Sequence, residues 1–223
     1  MASDQTRSAI LAAAERLYAD RGFGDVTLRD IVAEANVNLA AVNYHFGSKD
    51  ELIAELFVTR SLQLNRERLR ELRAAEEAGG GVGDIAEILR ALVGPTLRGC
   101  LGPDTQHSTA ARFMIRVNIE SVPAIRRIRN REIDHLRKFI AAMKRALPES
   151  SAVELYWGLH FALAMAQQTV RDTERLTKLS DGQCDVDDVD AVIARVVKVA
   201  VMALTAADSG SKVAPRVMAR EAR

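Results

Sequence analysis

Apolar residues recur at intervals of three and four along nearly the whole chain, which is the pattern of amphipathic helices. No alternating run bounded by turn residues, which would predict a strand, is present. The spacing predicts three helices within about the first 46 residues, and Gly22 suits the left-handed end of the first. Thr27 and Asn38 are placed to cap the second and third helices, and Asp30 favours the start of the second. We therefore expect an all-α fold.

Longer helices follow this first group. The segment "SKDE" at 48–51 has capping-box spacing and predicts a helix to about residue 78, where "GGGVGD" interrupts the pattern. Gly94 and Pro95 predict a kink or an early end in the next helix. Four further helices are predicted over 104–120, 122–147, 151–176 and 187–207, the third of them capped by Ser151 and Glu154. The total is nine helices.

The helix pattern divides the chain into a three-helix head over residues 1–47, a larger body over 48–207 and a basic tail over 208–223. The tail is small and polar, so we expect it to be disordered. No apolar run is long enough to span a bilayer and no secretory signal is visible, so a cytoplasmic location is expected. Cys100 and Cys184 lack the spacing of a metal or disulfide motif and are interpreted as ordinary thiols.

Charge does not by itself identify a nucleic-acid binder, because the net charge is +1 and residues 1–50 carry five basic and seven acidic side chains. Geometry is more informative. Two short helices joined by a three-residue turn are the parts of a helix-turn-helix, whose second helix enters the DNA major groove. Val37, Val42 and Phe46 have the spacing of buried positions. The residues left to face outward are Leu39, Ala40, Asn43 and Tyr44.

The stretch "TLRDIVAEANVNLAAVNYHFGSKDEL" resembles the DNA-binding head of TetR-type transcriptional regulators. The resemblance includes the threonine that opens the second helix, the "YHF" that closes the third and the "SKDEL" that opens the fourth. It covers roughly residues 5–55, and the family's nine-helix layout agrees with the predicted helices. Two positions depart from the family pattern: Asn36 stands where many members have glycine, and Asn43 where an aromatic residue is frequent.

This resemblance implies a role for each matching residue of the head. Thr27 would contact a phosphate, and Arg29 would reach a groove edge or a phosphate. The backbone would be fixed by Asn38, Tyr44, His45 and Lys49, and the bases would be met by Leu39, Ala40, Ala41 and Asn43. The third helix would offer the bases only methyl groups and one amide, and no arginine. We therefore predict that few bases are read directly, that A·T steps are favoured, and that Arg29 is the residue that reads guanine. The alternative for Tyr44 and His45 is that they complete the small core of the head.

The body is expected to supply a dimer surface and a ligand pocket. Small residues at Gly158, Ala162 and Ala166 permit close helix approach. With the apolar face of the last helix they resemble the family's dimer-forming pair; the last-helix positions are Ile193, Val196, Val197, Ala200 and Leu204. The alternative is an ordinary core within one chain.

Trp157, His160 and Phe161 lie on one helix face that we expect to point inward and line an apolar pocket. The other expected lining residues are Leu89, Leu92, Phe113, Met114, Val117, Phe139 and Met143. The competing interpretation is a dry core. The segments "ILRALVGP", "FMIRV" and "ELYWGLHFALAMA" also resemble a TetR subgroup that includes fatty-acid-responsive regulators. That resemblance implies an acyl-chain or acyl-thioester effector whose polar end meets Arg116 or His160, although Arg116 can instead pair with Glu120.

The leading hypothesis is a homodimeric, ligand-responsive repressor that binds a palindromic double-stranded DNA operator and needs no cofactor, metal or membrane. "DVDDVD" at 185–190 lacks the glycine and glutamate of a calcium loop and is expected to cap a helix. Two other functions remain open. One is an architectural protein that binds DNA without sequence choice, and the other is a helical enzyme that uses His160, which has no visible nucleophile or acid–base partner.

Overall fold

The computed structural model describes residues 2–103 and 108–208, and throughout these ranges the regular structure is α-helical with no strand. The eleven helices of this described part are α1 Ala2–Arg21, α2 Leu28–Glu34, α3 Leu39–Phe46, α4 Lys49–Ala78, α5 Ile85–Leu101, α6 Thr109–Ile119, α7 Pro123–Arg131, α8 Asp134–Ala146, α9 Ala152–Arg171, α10 Thr173–Leu179 and α11 Val189–Asp208. The expected basic tail lies outside the described residues, except for Asp208 at the end of α11.

Local capping chemistry sets the ends of the head helices as predicted. The Thr27 side chain accepts a hydrogen bond from the Asp30 N–H, and the Asp30 carboxylate accepts one from the Thr27 N–H at 2.7 Å. Asn38 caps α3 by accepting from the Ala41 N–H at 2.9 Å. The turn between these helices needs a left-handed residue, which Asn36 supplies with φ 52°. Asparagine tolerates this conformation better than most residues do, which explains why it replaces glycine here.

The predicted early end at Gly94–Pro95 is wrong, because α5 continues through both residues to Leu101. Proline removes one backbone N–H from a helix, so tertiary packing must compensate. Every residue from Ala91 to Leu97 is buried. The surrounding helices therefore hold α5 together where the local sequence alone would end it.

The count of nine helices is also wrong, because two of the long predicted helices are each divided. The segment 122–147 forms α7 and α8, with a break at Glu132 and Ile133. The sequence does not predict this break, because it has no glycine or proline there. The segment 151–176 is divided at Asp172, which ends α9 and precedes α10. The capping box of Ser151 and Glu154 at the start of α9 is present as predicted.

Two clusters of buried residues form the interior. One lies within the body and unites α5, α8, α9 and α11. The other contains the head core and extends into α4, α6 and α7 of the body. The head core is therefore not confined to residues 1–47, and the body completes it. In the described part of the chain no helix is long and apolar enough to cross a bilayer.

Candidate functional site: the third helix, its joint with the body and the body cavity

The outer face of α3 carries no charge, and it holds the exposed large apolar side chains of the head. Val42 and Phe46 are buried as predicted and anchor α3 to the head core. On the opposite face the Tyr44 side chain is 82% exposed and that of Leu39 is 44% exposed. Ala40 and Asn43 are also exposed. A neutral helix with a polar amide and a phenol on its free face has the shape and chemistry needed to enter a DNA groove.

Two other residues named for the α3 surface are only half-exposed. Ala41 packs against the head core, so its methyl group is less available than that of Ala40. The His45 ring lies between two aromatic neighbours, with its centroid 5.1 Å from that of Tyr44 and 6.1 Å from that of Phe46. These neighbours belong to α3 itself, and they leave the His45 side chain only half-exposed.

The candidate phosphate contacts differ in how free their polar groups are. Arg29 is exposed on α2. The Thr27 hydroxyl donates to the Asp30 carboxylate at 2.6 Å, and these hydrogen bonds from Thr27 lower the pKa of Asp30 to about 2. The ammonium of Lys49 donates to the carbonyls of Phe23, at 2.8 Å, and Val26. Since an ammonium has three N–H groups, one remains for a phosphate.

The head joins the body through the C-terminal end of α1 and one face of α6. Arg112 forms a salt bridge of 2.9 Å with Asp20. The Arg116 guanidinium donates to the Asp20 carbonyl at 3.2 Å, and the Phe23 N–H donates to the Glu120 carboxylate at 2.8 Å. Arg116 also lies 3.5 Å from Glu120, the intrahelical pair considered from the sequence.

Gly22 makes this approach possible. Its φ of 83° is left-handed, and a Cβ there would lie 3.2 Å from Glu120 Cδ and closer still to one of the carboxylate oxygens. A side chain at this position would therefore push Glu120 away from the Phe23 N–H.

A cavity of about 260 Å³ lies inside the body, bounded by α4, α5, α6, α7, α8 and α9. The surface of its walls is mainly apolar, although half of the residues that line it carry polar side chains. The lining comprises Phe57, Val58, Ser61, Leu62, Leu64, Asn65, Arg68, Thr96, Met114, Asn118, Ile128, Arg129, Glu132, His135, Leu136, Leu163, Ala166 and Gln167. A mostly apolar space with a few converging polar groups is typical of a small-molecule site.

Most of the residues predicted to line a pocket lie elsewhere, and only Met114 contacts this cavity. Phe113 and Val117 face the head core, where the Phe113 ring packs edge-on against Phe23 at 5.6 Å. Arg116 points at α1 instead of at a ligand. The remaining aliphatic and aromatic positions form the dry core of the body; they are Leu89, Leu92, Phe139 and Met143.

The prediction that Trp157, His160 and Phe161 point inward is wrong. Trp157 is 55% exposed and Phe161 48% exposed, and their rings stack with centroids 5.4 Å apart. His160 is exposed and its ring lies 5.8 Å from that of Trp157. These side chains are exposed on α9, and the cavity lining contains none of them.

The prediction for the dimer surface is reversed in the same way. The residues expected to meet a partner are buried within the chain, where α9 packs on α11; they are Gly158, Ala162, Ala166, Ile193, Val196, Val197, Ala200 and Leu204. The small side of α9 serves this intrachain contact, since a Cβ at Gly158 would lie 2.8 Å from Leu204 Cγ.

The sequence reasoning also missed the polar residues of the cavity. Arg68 lies in "LNRERLRELR", which looks like a solvated helix face. Its spacing of four residues from both Leu64 and Leu72 places it on the apolar side of α4, and this signal distinguishes it from Arg66 and Arg70. His135 lies next to the break between α7 and α8, which the sequence does not indicate.

The acidic segment at 185–190 caps α11, as predicted. Asp188 accepts a hydrogen bond from the Ala191 N–H at 3.0 Å, and Asp185 accepts one from the Asp187 N–H at 2.8 Å. Across the described ranges no group of three or more histidine, cysteine or acidic side chains is arranged to hold a metal ion.

Comparison with protein families gives two matches that together cover most of the chain. Residues 10–56 match the family described as bacterial regulatory proteins, tetR family. Residues 90–203 match the tetracyclin repressor-like C-terminal domain. The first match contains the helix-turn-helix, and the second contains most of the cavity walls and the α9–α11 pair.

Relatives and solved structures agree with these matches. The HTH-type transcriptional repressor Rv3405c of Mycobacterium tuberculosis is 38% identical over 63 residues, which is 28% of this chain and 34% of that protein. TtgR of Pseudomonas putida is 32% identical over 87 residues, or 39% of this chain and 40% of that one. These matches cover between a third and two-fifths of the length of the curated relatives.

Among solved structures, NalD, the secondary repressor of the MexAB-OprM multidrug efflux pump in Pseudomonas aeruginosa, is similar with a TM-score of 0.55 and 20% identity over 88% of this chain and 97% of that one. A TetR family transcription regulator from Marinobacter aquaeolei is similar with a TM-score of 0.56 and 14% identity over 87% of this chain and 95% of that one. These likenesses concern the fold. Together with the family matches to the head and to half of the chain, they show that this protein is a member of the TetR family of transcriptional regulators.

Proposed function

We propose that this regulator is a repressor that binds a palindromic DNA operator through the outer face of α3. The observation that carries the proposal is the exposed, uncharged surface formed by Leu39, Ala40, Asn43 and Tyr44 on a helix anchored by buried Val42 and Phe46. An amide can pair bidentately with adenine, and methyl groups can contact thymine. The head carries no excess of positive charge, so affinity must come from a few placed contacts and from two copies of the head.

The predicted readout is tested by selecting duplexes from a random pool with the full chain. We expect paired half-sites about one helical turn, or a multiple of it, apart, as for other helix-turn-helix dimers. Within each half-site A·T pairs should dominate, and any preferred guanine should be lost with Arg29→Ala. Strong guanine positions that persist in Arg29→Ala would contradict the proposed readout, and equal recovery of random DNA would favour an architectural role.

We further propose that two chains pair through the outer faces of α9 and α11. These faces carry large apolar side chains exposed to solvent: Val153, Tyr156, Trp157 and Phe161 on α9, and Val199 and Met202 on α11. Exposed apolar groups concentrated on two packed helices are a mark of a protein interface. A symmetric contact would place the two heads for the two halves of a palindrome.

Sedimentation of Phe161→Glu tests this pairing, with Leu179→Glu as the matched control because Leu179 is 81% exposed on α10. Loss of a central interface aromatic costs about 2 kcal/mol or more, so the dissociation constant should rise roughly thirtyfold in Phe161→Glu only. An unchanged dissociation constant would contradict the assignment of this face.

The cavity is proposed as the site of a small effector that releases the operator. Met114 and Asn118 on α6 line the cavity, whereas Arg112 and Arg116 on the same helix hold the end of α1. Glu120, which directly follows α6, holds the Phe23 N–H just after α1. A ligand that displaces α6 would therefore act on the head through these contacts. Release requires that the ligand bind the DNA-incompetent arrangement more tightly than the DNA-bound one.

A further inference from the structure

The cavity contains a buried cation that lacks an acidic partner. Arg68 is only 9% exposed. Its guanidinium donates to the Thr96 hydroxyl at 2.7 Å and more weakly to the Asn65 side-chain oxygen at 3.4 Å. Its Nε is buried without a hydrogen-bond acceptor, and no salt bridge joins Arg68 to a carboxylate of the described residues. A charge buried with neutral partners alone is costly, so proteins rarely retain one without a use.

A second guanidinium makes this part of the cavity more positive. Arg129 lines the same space and lies over the Phe57 ring, 5.6 Å from its centroid. Burial and the proximity of Arg129 lower the pKa of Arg68 to about 10, so Arg68 still carries its charge at neutral pH. Glu132 is the acidic residue of the described lining, and both Glu132 and Arg129 are exposed to solvent, so Arg68 is the buried charge of this group.

The neighbouring histidine does not compensate for this positive charge. His135 Nδ1 lies 3.4 Å from the amide nitrogen of Asn65. Burial and the nearby Arg68 lower the pKa of His135 to about 4, so the ring is neutral and accepts from the amide. This arrangement turns the oxygen of Asn65 toward Arg68. The polar end of the cavity is therefore cationic, and the neutral groups next to Arg68, those of Asn65 and Thr96, are already engaged with it.

The rest of the cavity is mainly apolar, with walls that include Leu62, Met114, Leu136 and Leu163, and it also contains Ser61, Asn118 and Gln167. Its volume of about 260 Å³ lies between the roughly 150 Å³ that holds a benzene molecule and the several hundred that hold a drug-sized ligand. A ligand that satisfies both ends needs a compact apolar body and one planar anionic group.

We propose that the cavity binds a compact organic carboxylate whose anionic group pairs with Arg68 and whose apolar body fills the space between α4 and α9. This proposal rests on the effector role proposed for the cavity and names the class of ligand. The polar end is thereby assigned to Arg68 on α4, and not to Arg116 or His160. Because α4 begins at the head and carries Arg68 at the cavity, the anion would bind directly to the helix that joins the two.

Calorimetric titration of the full chain with matched ligands tests the charge requirement. Octanoate is compared with octanamide, and 3-phenylpropionate with 3-phenylpropanamide. Within each pair the carboxylate is replaced by a neutral amide, and the two pairs distinguish an alkyl chain from an aromatic ring as the apolar part of the ligand. The wild-type protein should bind at least one carboxylate about tenfold to a hundredfold more tightly than its amide, the range of a charge-assisted hydrogen bond.

Arg68→Met should abolish this preference, and Arg70→Gln, which alters an exposed arginine of the same helix, should keep it. Methionine has similar length and no charge, so Arg68→Met removes the buried cation. It also takes one donor from the Thr96 hydroxyl and from the Asn65 oxygen, so thermal unfolding is used to confirm that the variant is folded. The proposal is overturned if neither carboxylate binds, if the amides bind equally well, or if Arg68→Met retains the preference.

Operator binding measured with the same ligands distinguishes the two proposals. Carboxylate binding that depends on Arg68 but leaves operator affinity unchanged would support the ligand class and contradict the effector role. Amides that bind as tightly as carboxylates and weaken operator binding would support the effector role and overturn the carboxylate proposal.

Discussion

The contact between Gly158 and Leu204 gives a direct test of how α9 packs on α11. Gly158→Ala adds a methyl group whose carbon would lie 2.8 Å from Leu204 Cγ, and Leu204 is only 2% exposed. Replacing a helical glycine with alanine gains about 1 kcal/mol in helix propensity, but overpacking a filled core costs about 1–3 kcal/mol. We therefore expect a net loss in the free energy of unfolding of about 1 kcal/mol.

The sign should reverse when the space is opened. Leu204→Ala alone should cost about 2–5 kcal/mol, because it leaves a cavity against Gly158. In that background the Gly158→Ala methyl enters vacant space, so the second substitution should stabilise by about 1 kcal/mol through propensity alone. The two substitutions are therefore coupled by about 1–3 kcal/mol.

Urea unfolding followed by circular dichroism at two protein concentrations measures all four members of this cycle. The coupling should be the same at both concentrations, because the contact lies within one chain. Equal destabilisation by Gly158→Ala in both backgrounds would refute the packing argument. A coupling energy that changes with protein concentration would indicate that this stripe of small residues lies in a dimer interface.

Three further predictions test other parts of the structure. Asn36 has a φ of 52°, a left-handed conformation that glycine adopts without strain and alanine does not. Asn36→Ala should therefore lower the free energy of unfolding by about 1 kcal/mol, and Asn36→Gly should be neutral or stabilising. Equal effects of the two substitutions would refute the left-handed turn. Glu120→Ala should cost about 1–3 kcal/mol in urea unfolding because the Phe23 N–H loses its acceptor, whereas Glu174→Ala, in an exposed pair with Lys178, should cost about 0–1 kcal/mol. The pKa of His135 is about 4 in the folded state against 6.5 in the unfolded state, so on acidification the unfolded state binds the proton first. The free energy of unfolding should therefore fall, by at most about 3 kcal/mol, as the pH drops from 6.5 to 4. His135→Gln should flatten this pH profile, and an unchanged slope would contradict the burial of the ring.

The head was predictable from the sequence because its determinants are local. Thr27 and Asn38 are cap residues at the spacing that capping requires, and Val42 and Phe46 repeat at four residues on a short helix with one apolar side. Asn36 was noted as a departure from the family pattern, and its positive φ explains how the turn accepts it. In each case the neighbours along the chain supply the interaction.

The body was harder to predict because α9 is apolar on nearly all sides. Gly158 and Trp157 are adjacent in sequence and lie on different faces, about 100° apart around the helix, and spacing shows that both faces are apolar without showing which one the same chain covers. The sequence predicts the bulky face to be internal and the small face to be external, which is the reverse of the structure. The cavity depends on the break before α8 and on the burial of Arg68, and both follow from packing between distant segments.

Fluorescence anisotropy with a selected operator and a scrambled duplex of the same composition tests the central claim, that α3 reads DNA, most directly. At moderate salt the wild-type chain should bind the operator at least about a thousandfold more tightly than the scrambled duplex. Asn43→Ala and Tyr44→Ala should remove most of that difference, while Leu179→Ala, at an equally exposed position far from the head, should keep it. Full operator preference in both head variants, or equal binding of the two duplexes by the wild-type chain, would contradict the assignment of α3 as the DNA-reading helix.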